Sequence, residues 1–371
     1  MQYRTSGRII HAYGIPLLAI ALSLAIGTLG RNLTDAGGLW PAALSLLAAI
    51  VLISNVFASL IHAETIAARV GEPVGTLVLT LAITLIEASL IASAMFHGEN
   101  NPTLARESVF SAVMIVTTGL IGSALFIGSL TNHDQRHRTV ATSAHLAVLV
   151  ALCSLVLILP DYTESTSAGT FSSGQLAFAG TVSVLLYLAF LYIQTVRHRE
   201  DFLEVEPPED SDAHTRPPRG ATAVAAVWLL LALAGVVLVA EHVAAALENA
   251  LASLSATKSD AIMGAMIAVL VLMPEGISAL KAAGRNAVQR SLNISLGSAL
   301  ASIGLTIPAI SAISLVTGRE IILGLPPRDT FLLLLALAVS FVSFGTGRTN
   351  VLTGLVHFVV FATFIMTLFL P

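Results

Sequence analysis

Two acidic residues stand inside stretches that are otherwise apolar: Glu87 in ITLIEASLI and Glu275 in VLMPEGISAL. A charged side chain at the centre of a bilayer costs at least ~2.5–3.5 kcal/mol on insertion scales, so a carboxylate in such a place reads as functional. Held away from water, a carboxyl group resists ionisation and takes up a proton near neutral pH. A metal cation competes with that proton for the same oxygens. Two such carboxylates neutralise one divalent cation or hold up to two protons, and neither loaded state leaves a large buried charge. The empty, doubly ionised state is the costly one to move through lipid, and that couples the two fluxes. The chemistry expected of Glu87 and Glu275 is therefore exchange of a cation for protons.

Hydroxyl groups recur at helical spacing beside both acids. Thr76, Thr80, Thr84 and Glu87 are spaced 4, 4 and 3 apart, and Ser291, Ser295, Ser298 and Ser302 are spaced 4, 3 and 4. Each set lies on one helical face. Ser111, Thr118 and Gly122 follow at 7 and 4. A lone membrane hydroxyl reads as packing, because Ser and Thr glue helices together; a stripe next to a buried acid reads as a pathway. Pro274 directly precedes Glu275. It has no N–H and clashes with the carbonyl one turn back, so it is expected to kink or interrupt its helix and free carbonyl oxygens. Gly71-Glu72-Pro73-Val74-Gly75 opens the earlier helix in a similar way. Calcium takes about 6–8 oxygens, which two glutamates, hydroxyls, carbonyls and water can supply; sodium or potassium can use the same atoms. The candidate cation and proton site is Glu87 and Glu275, with Thr84, Ser111 and Ser298.

These residues need a membrane fold to position them. Of 371 residues, 56% are hydrophobic and 11% charged, with a mean hydropathy of +0.87. A net charge of −4 gives no basic field for nucleic acid. The single cysteine, Cys153, excludes a disulfide framework and any Cys-based zinc site. A helix needs about 20 apolar residues to cross ~30 Å of hydrocarbon. Eleven spans are expected, near 9–29, 41–62, 74–96, 108–130, 139–159, 176–196, 221–244, 260–283, 290–316, 329–346 and 350–370. Trp40, Trp228 and Tyr192 lie near span ends, where amphipathic rings favour the interface. The first run, behind Arg4 and Arg8, lacks a clear small-x-small cleavage site and reads as a retained span rather than a signal peptide.

The segment 197–220, RHREDFLEVEPPEDSDAHTRPPRG, is charged and Pro-rich and reads as a solvated linker. The expected organisation is an N-terminal helix (1–36), a five-helix repeat (37–196), the acidic linker (197–220) and a second five-helix repeat (221–371). Five is odd, so the two repeats must cross in opposite senses: an all-α membrane protein built as an inverted repeat. That arrangement would bring both glutamate helices to the centre. With the N-terminus in the cytoplasm, 13 of the 18 Lys and Arg residues fall on that side and 5 outside, which supports N-in, C-out.

On these residues the chain is identified as a member of the calcium/cation antiporter superfamily, and it most resembles bacterial calcium/proton antiporters of the ChaA type. GEPVGTLVLTLAITLIEASLI with NPTLARESVFSAVMIV resembles the first alpha-repeat. PEGISALKAAGRNAVQRSLNISLGSALASIGLTIPAI resembles the second. The resemblance implies that Glu87 and Glu275 bind the cation. It matches the family's small-residue motif to Leu296, Gly297 and Ser298, and more loosely to Phe110 and Ser111. The chain departs from the family's Gly-Asn-x-x-Glu pattern. Thr84 takes the Asn position in one repeat and Leu272 or Met273 in the other, and the amides that often follow the Gly-Ser motif are missing.

Calcium/proton antiport by alternating access is thus the leading expectation, in the inner membrane of a bacterium. Its partners are the bilayer, small cations and protons, with no nucleic acid, no obligate protein partner and no cofactor. Sodium(potassium)/proton antiport is the near alternative, and an intramembrane enzyme using the two acids as an acid/base pair is the alternative of another class. A non-transporting helical scaffold would carry buried acids at needless cost. No GxxxxGK[ST] motif supports ATP-driven transport. His133 and His137 have metal-like spacing, but their charged loop reads as a solvated face. His357, inside the last span, reads as a satisfied helix contact, with proton relay as the other reading. Glu241-His242 lacks the second His of a zinc-protease helix. Glu107 is expected to pair with Arg106 at the interface, or to guard an outer entrance. The acids Glu204, Glu206, Glu209, Asp210 and Asp212 read as solubilising, with cation sensing as the alternative.

Overall fold

The computed structural model describes residues 2–35, 40–71, 74–97, 101–131, 135–204, 217–253 and 259–370. In chain order the helices are α1 (Gln2–Asp35), α2 (Trp40–Val70), α3 (Val74–His97), α4 (Leu104–Met114), α5 (Ile121–Thr131), α6 (Thr139–Cys153) and α7 (Ser173–Tyr192). They continue as α8 (Arg219–Ser253), α9 (Ser259–Gly284), α10 (Val288–Ala301), α11 (Ile307–Thr317), α12 (Pro327–Phe344) and α13 (Val351–Phe369). Wider π turns join α4 to α5 at Ile115–Leu120 and α10 to α11 at Ser302–Thr306. Eleven stretches of helix among the described residues are long and apolar enough to cross a membrane. The expected all-α, eleven-span architecture is the one observed. Helix α4 begins at Leu104, four residues before the expected span, because its first turn carries Arg106 and Glu107 and is hidden from hydropathy.

Two compact units emerge from the contacts, and each draws helices from both sides of the linker. The first comprises Met1–Asn101 and His214–Ser259, hence α1, α2, α3 and α8. Small residues let these helices close on one another. A Cβ at Gly235 would stand 2.7 Å from Asn55 Nδ2 and 3.1 Å from the Ala19 side chain. Across the same contact Asn55 Nδ2 donates to the Ala232 carbonyl at 2.9 Å. His62, fully buried on α2, donates to the Ala12 carbonyl at 2.9 Å and stacks on Trp228. Helix α2 ends where Gly71 takes a φ of 77°, a left-handed conformation that glycine adopts without strain.

The second unit comprises Pro102–Ala213 and Asp260–Pro371. Its apolar core gathers Ile121, Leu125, Leu146, Val288, Leu292, Leu296 and Phe344, from α5, α6, α10 and α12. Helices α4 and α9 meet backbone to backbone: a Cβ at Gly264 would lie 2.7 Å from the Glu107 carbonyl carbon. Thr103 Oγ1 donates to Asp260 Oδ2 at 2.6 Å beside that crossing. Two short strands, β1 (Gln135–Arg136) and β2 (Arg348–Thr349), pair antiparallel and tie two interhelical loops together.

The π turns have local causes. Ile115, Val116, Thr117 and Thr118 are four β-branched residues in succession, which crowd a helix. Thr117 Oγ1 also bonds back to the Val113 carbonyl at 2.7 Å, and Thr118 Oγ1 bonds to that of Met114. Such back-bonding loosens the ladder. In the second helix, Pro308 deprives the Gly304 carbonyl of its usual donor.

Candidate cation site

Glu87 lies on α3, which packs against α2 and α8 in the first unit. It is 1% exposed. Thr84, one turn earlier, is also buried, and its hydroxyl has no hydrogen-bond partner among the described residues. The Thr84–Glu87 face is therefore a buried face, as the spacing predicts; the Thr76 side chain lies outside the described residues.

Glu275, on α9 in the second unit, is half-buried, and Ser298 Oγ on α10 hydrogen-bonds its Oε2. The Ser291–Ser302 stripe is buried throughout. The hydroxyls of Ser291 and Ser295 find no partner among the described residues. The same holds for Ser108 and Ser111 on α4. Buried polar groups are ordinarily bonded to protein or water, so these four unengaged hydroxyls set α4 and α10 apart. The two helices meet at their π turns, Ile115–Leu120 packing against α10 and Ser302–Thr306 against α4. They also share a register. Ser111 and Ser298 each lie four residues before the first residue of their π turn, and Ser108 and Ser295 each lie seven before. A hydroxyl has one donor and two lone pairs. Ser298 now donates to a carboxylate; turned about its C–O bond, it offers a lone pair to a cation held by that carboxylate.

Several expectations need correction. Helix α9 is not interrupted at Pro274 but runs unbroken from Ser259 to Gly284. Proline still brings no N–H to the carbonyl one turn back, and Ser278 Oγ donates to the Pro274 carbonyl at 3.1 Å. Of the expected stripe Ser111, Thr118 and Gly122, only Ser111 presents an unengaged hydroxyl. Thr118 is spent on the Met114 carbonyl, and Gly122 faces α13, where a Cβ would meet His357 at 3.1 Å. Leu296 is a core residue and Phe110 packs edge-on against Phe364. Glu107 pairs with Arg106 at 2.6 Å as expected, and Arg328–Asp329 makes a like pair at 2.8 Å at the start of α12. Both acids are buried, so Glu87 and Glu275 are not the only acids withdrawn from solvent. Hydropathy hides the burial of these two because each sits next to an Arg. Glu241 sits on α8, and its neighbour His242 bonds Ser23 Oγ at 3.0 Å.

In the described part of the loop between α5 and α6, Arg136 and Arg138 are exposed but Gln135 and His137 are buried. His133 lies outside the described residues, but His137 is buried, with Nε2 3.2 Å from the Phe344 carbonyl. Burial lowers its pKa, and the Phe344 carbonyl partly opposes that. The linker holds another surprise. Glu204 accepts from the backbone N–H groups of Gln289 and Arg290 at 3.1 and 3.0 Å, capping the N-terminus of α10. Asn293 Nδ2 donates to the Phe202 carbonyl at 2.6 Å and Arg138 Nε to that of Leu203 at 3.0 Å, fastening the same segment. Glu206, Glu209, Asp210 and Asp212 lie outside the described residues. Among the described residues no group of three or more His, Cys, Asp or Glu side chains gathers as a metal centre.

The eleven apolar helices among the described residues, with acids and unengaged hydroxyls buried in them, define a multi-pass membrane protein. Residues 39–196 and 224–370 match the sodium/calcium exchanger protein family, and the chain belongs to that family of cation exchangers. Among its relatives, y4hA of Sinorhizobium fredii (strain NBRC 101917 / NGR234) is 41% identical over 372 residues, an alignment covering 100% of this chain and 99% of that one. The sodium-potassium/proton antiporter ChaA of Escherichia coli (strain K12) is 37% identical over 330 residues, covering 88% of this chain and 89% of that one. In fold, the chain is similar to the solved structure of the Ca2+/H+ antiporter protein YfkE, with a TM-score of 0.69 at 17% identity, over 98% of this chain and 99% of that one.

Proposed function

We propose that this protein exchanges calcium for protons across the membrane by alternating access, with Glu87 and Glu275 each binding cation or proton in competition. The observation that carries the reading is the Glu275–Ser298 contact, with the unengaged hydroxyls of Ser291 and Ser295 on the same stripe of α10. Carboxylate and hydroxyl oxygens are hard ligands suited to calcium. Thr84 and Ser111 are the further oxygen donors. The Ca2+/H+ antiporter of similar fold supports the choice of ion. A second reading, sodium or potassium in place of calcium, draws support from the 37%-identical sodium-potassium/proton antiporter. Two inverted five-helix repeats are the proposed frame. The match to one family on both sides of the linker and the shared register of the two π turns support it. The bias of Lys and Arg supports an N-terminus in the cytoplasm of a bacterium and a C-terminus outside.

Everted vesicles holding a preset proton gradient, read with a pH-sensitive dye, test the reading. Calcium is expected to collapse the gradient, and sodium and potassium to do so weakly or not at all. Collapse by sodium or potassium alone moves the protein to the second reading; no collapse by any of the three refutes antiport.

A further inference from the structure

The last helix holds the first π turn in place. In an α-helix the N–H of Ile121 would bond the Thr117 carbonyl; here it bonds the carbonyls of Val116 and Thr118 instead. The Thr117 carbonyl, passed over, faces Nδ1 of His357 on α13 at 2.7 Å. His357 is 0% exposed, and its Nε2 lies 3.1 Å from Ser343 Oγ on α12. Close backbone approach makes this contact possible. A Cβ at Gly122 would stand 3.2 Å from the Gly354 carbonyl, and one at Gly119 would stand 3.0 Å from the Phe361 ring.

The ring's chemistry speaks against relay. A carbonyl oxygen only accepts, so Nδ1 carries the hydrogen, and neutral imidazole then leaves Nε2 to accept from Ser343. A backbone carbonyl has no proton to pass on. The ring is a fixed donor at the end of a line. Its target matters because a π turn holds one extra residue within the helix. Relaxation of that turn to α geometry would rotate everything upstream by roughly 100° about the axis. Ser108 and Ser111 would swing out of the buried setting they now hold.

We infer that His357 is a positioning residue for cation binding: its Nδ1–H bond to the Thr117 carbonyl locks the π turn of α4–α5 and so fixes the rotational setting of the buried, unengaged hydroxyls of Ser108 and Ser111. The inference rests on the antiport reading above. The test is cation-dependent proton flux in vesicles. His357→Leu removes the donor. His357→Asn places an amide N–H close to where Nδ1 stands but can carry no proton. The concentration of cation giving half-maximal flux is expected to rise about tenfold in His357→Leu, the scale of one lost buried hydrogen bond. It is expected to return to near the wild-type value in His357→Asn, with the pH profile unmoved. Gly122→Ala, which pushes α13 outward while leaving the imidazole intact, is expected to show the same rise and stands in where His357→Leu fails to fold. Equal loss in His357→Asn and His357→Leu, or a displaced pH profile in His357→Asn, overturns the inference in favour of relay. Unchanged affinity in His357→Leu, or in Gly122→Ala where that variant replaces it, overturns it outright. Absence of exchange in the wild type would instead refute the antiport reading itself.

Discussion

The α4–α5 and α10–α11 helices carry the same hydroxyls at the same register from the same kind of turn, yet they are fastened in different ways. The first is gripped at its middle: His357 and Phe361 of α13 clamp the π turn from one side. The second is gripped at its start: Glu204 caps its N-terminus, and Tyr187 of α7 packs on Gly304 of its π turn. The difference teaches that a shared register does not require a shared support. It also separates the serines. Ser298 is engaged with an acid, whereas Ser111 is not.

That contrast can be attacked from several directions. The largest effect is expected at the acids. Glu275→Gln and Glu87→Gln should each reduce exchange to background while the protein still inserts and purifies as a folded monodisperse species. Normal proton-coupled flux in either variant would remove the basis of the site. Next come the two serines. Ser298→Ala should raise the half-saturating cation concentration about tenfold and Ser111→Ala about threefold, a loss of roughly 1.4 kcal/mol against about half that. Equal effects would mean that the resting contact between Ser298 and Glu275 has no bearing on cation affinity.

The π-turn glycines come third. A Cβ at Gly119 would meet Phe361 at 3.0 Å, and one at Gly304 would meet Tyr187 Cβ at 3.0 Å. Each Gly→Ala change should destabilise by about 1–3 kcal/mol, as overpacking does, visible as a lower melting temperature in detergent. Gly119→Ala should also weaken cation affinity, because it presses on the helix that carries His357. Identical effects on affinity in both variants would erase the distinction between the two supports.

The smallest effect concerns the cap. Glu204→Ala should lower stability by about 1 kcal/mol, the typical loss of a helix cap. Burial raises the Glu204 pKa, while the N–H groups of Arg290 and Gln289 and the charges of Arg290 and Arg138 pull it back only in part. The docked carboxyl thus holds a proton more tightly than the undocked one. The contact is strongest in acid and weakens as pH rises through the raised value. Glu204→Gln cannot titrate there, so wild type should lose thermal stability relative to it as pH rises above the ordinary carboxylate range. A constant difference would show that Glu204 does not titrate in its cap.

The parts visible in the sequence share one property: they depend on which residues are apolar. Hydropathy marks all eleven spans, isolates Glu87 and Glu275, and shows Ser291, Ser295, Ser298 and Ser302 on one face. What stayed hidden depends on backbone hydrogen bonding or on distant partners. A π turn shifts the bonding by one residue without altering hydropathy; its only written traces are the β-branched run Ile115–Thr118 and Pro308 four residues after Gly304. Glu204 sits in a segment whose composition says solvent, and its partners are Gln289 and Arg290. His137 looks exposed because arginines flank it, but β1 pairing with β2 turns it inward. Arg106 hides the burial of Glu107 in the same way.

Because each compact unit takes helices from before and after residues 197–220, a nick there would free neither. The N-terminal fragment would lack α8 from one unit and α9 to α13 from the other. Two such fragments, made separately, would be obligate complements, each unable to complete any folding unit until it met its counterpart in the same membrane.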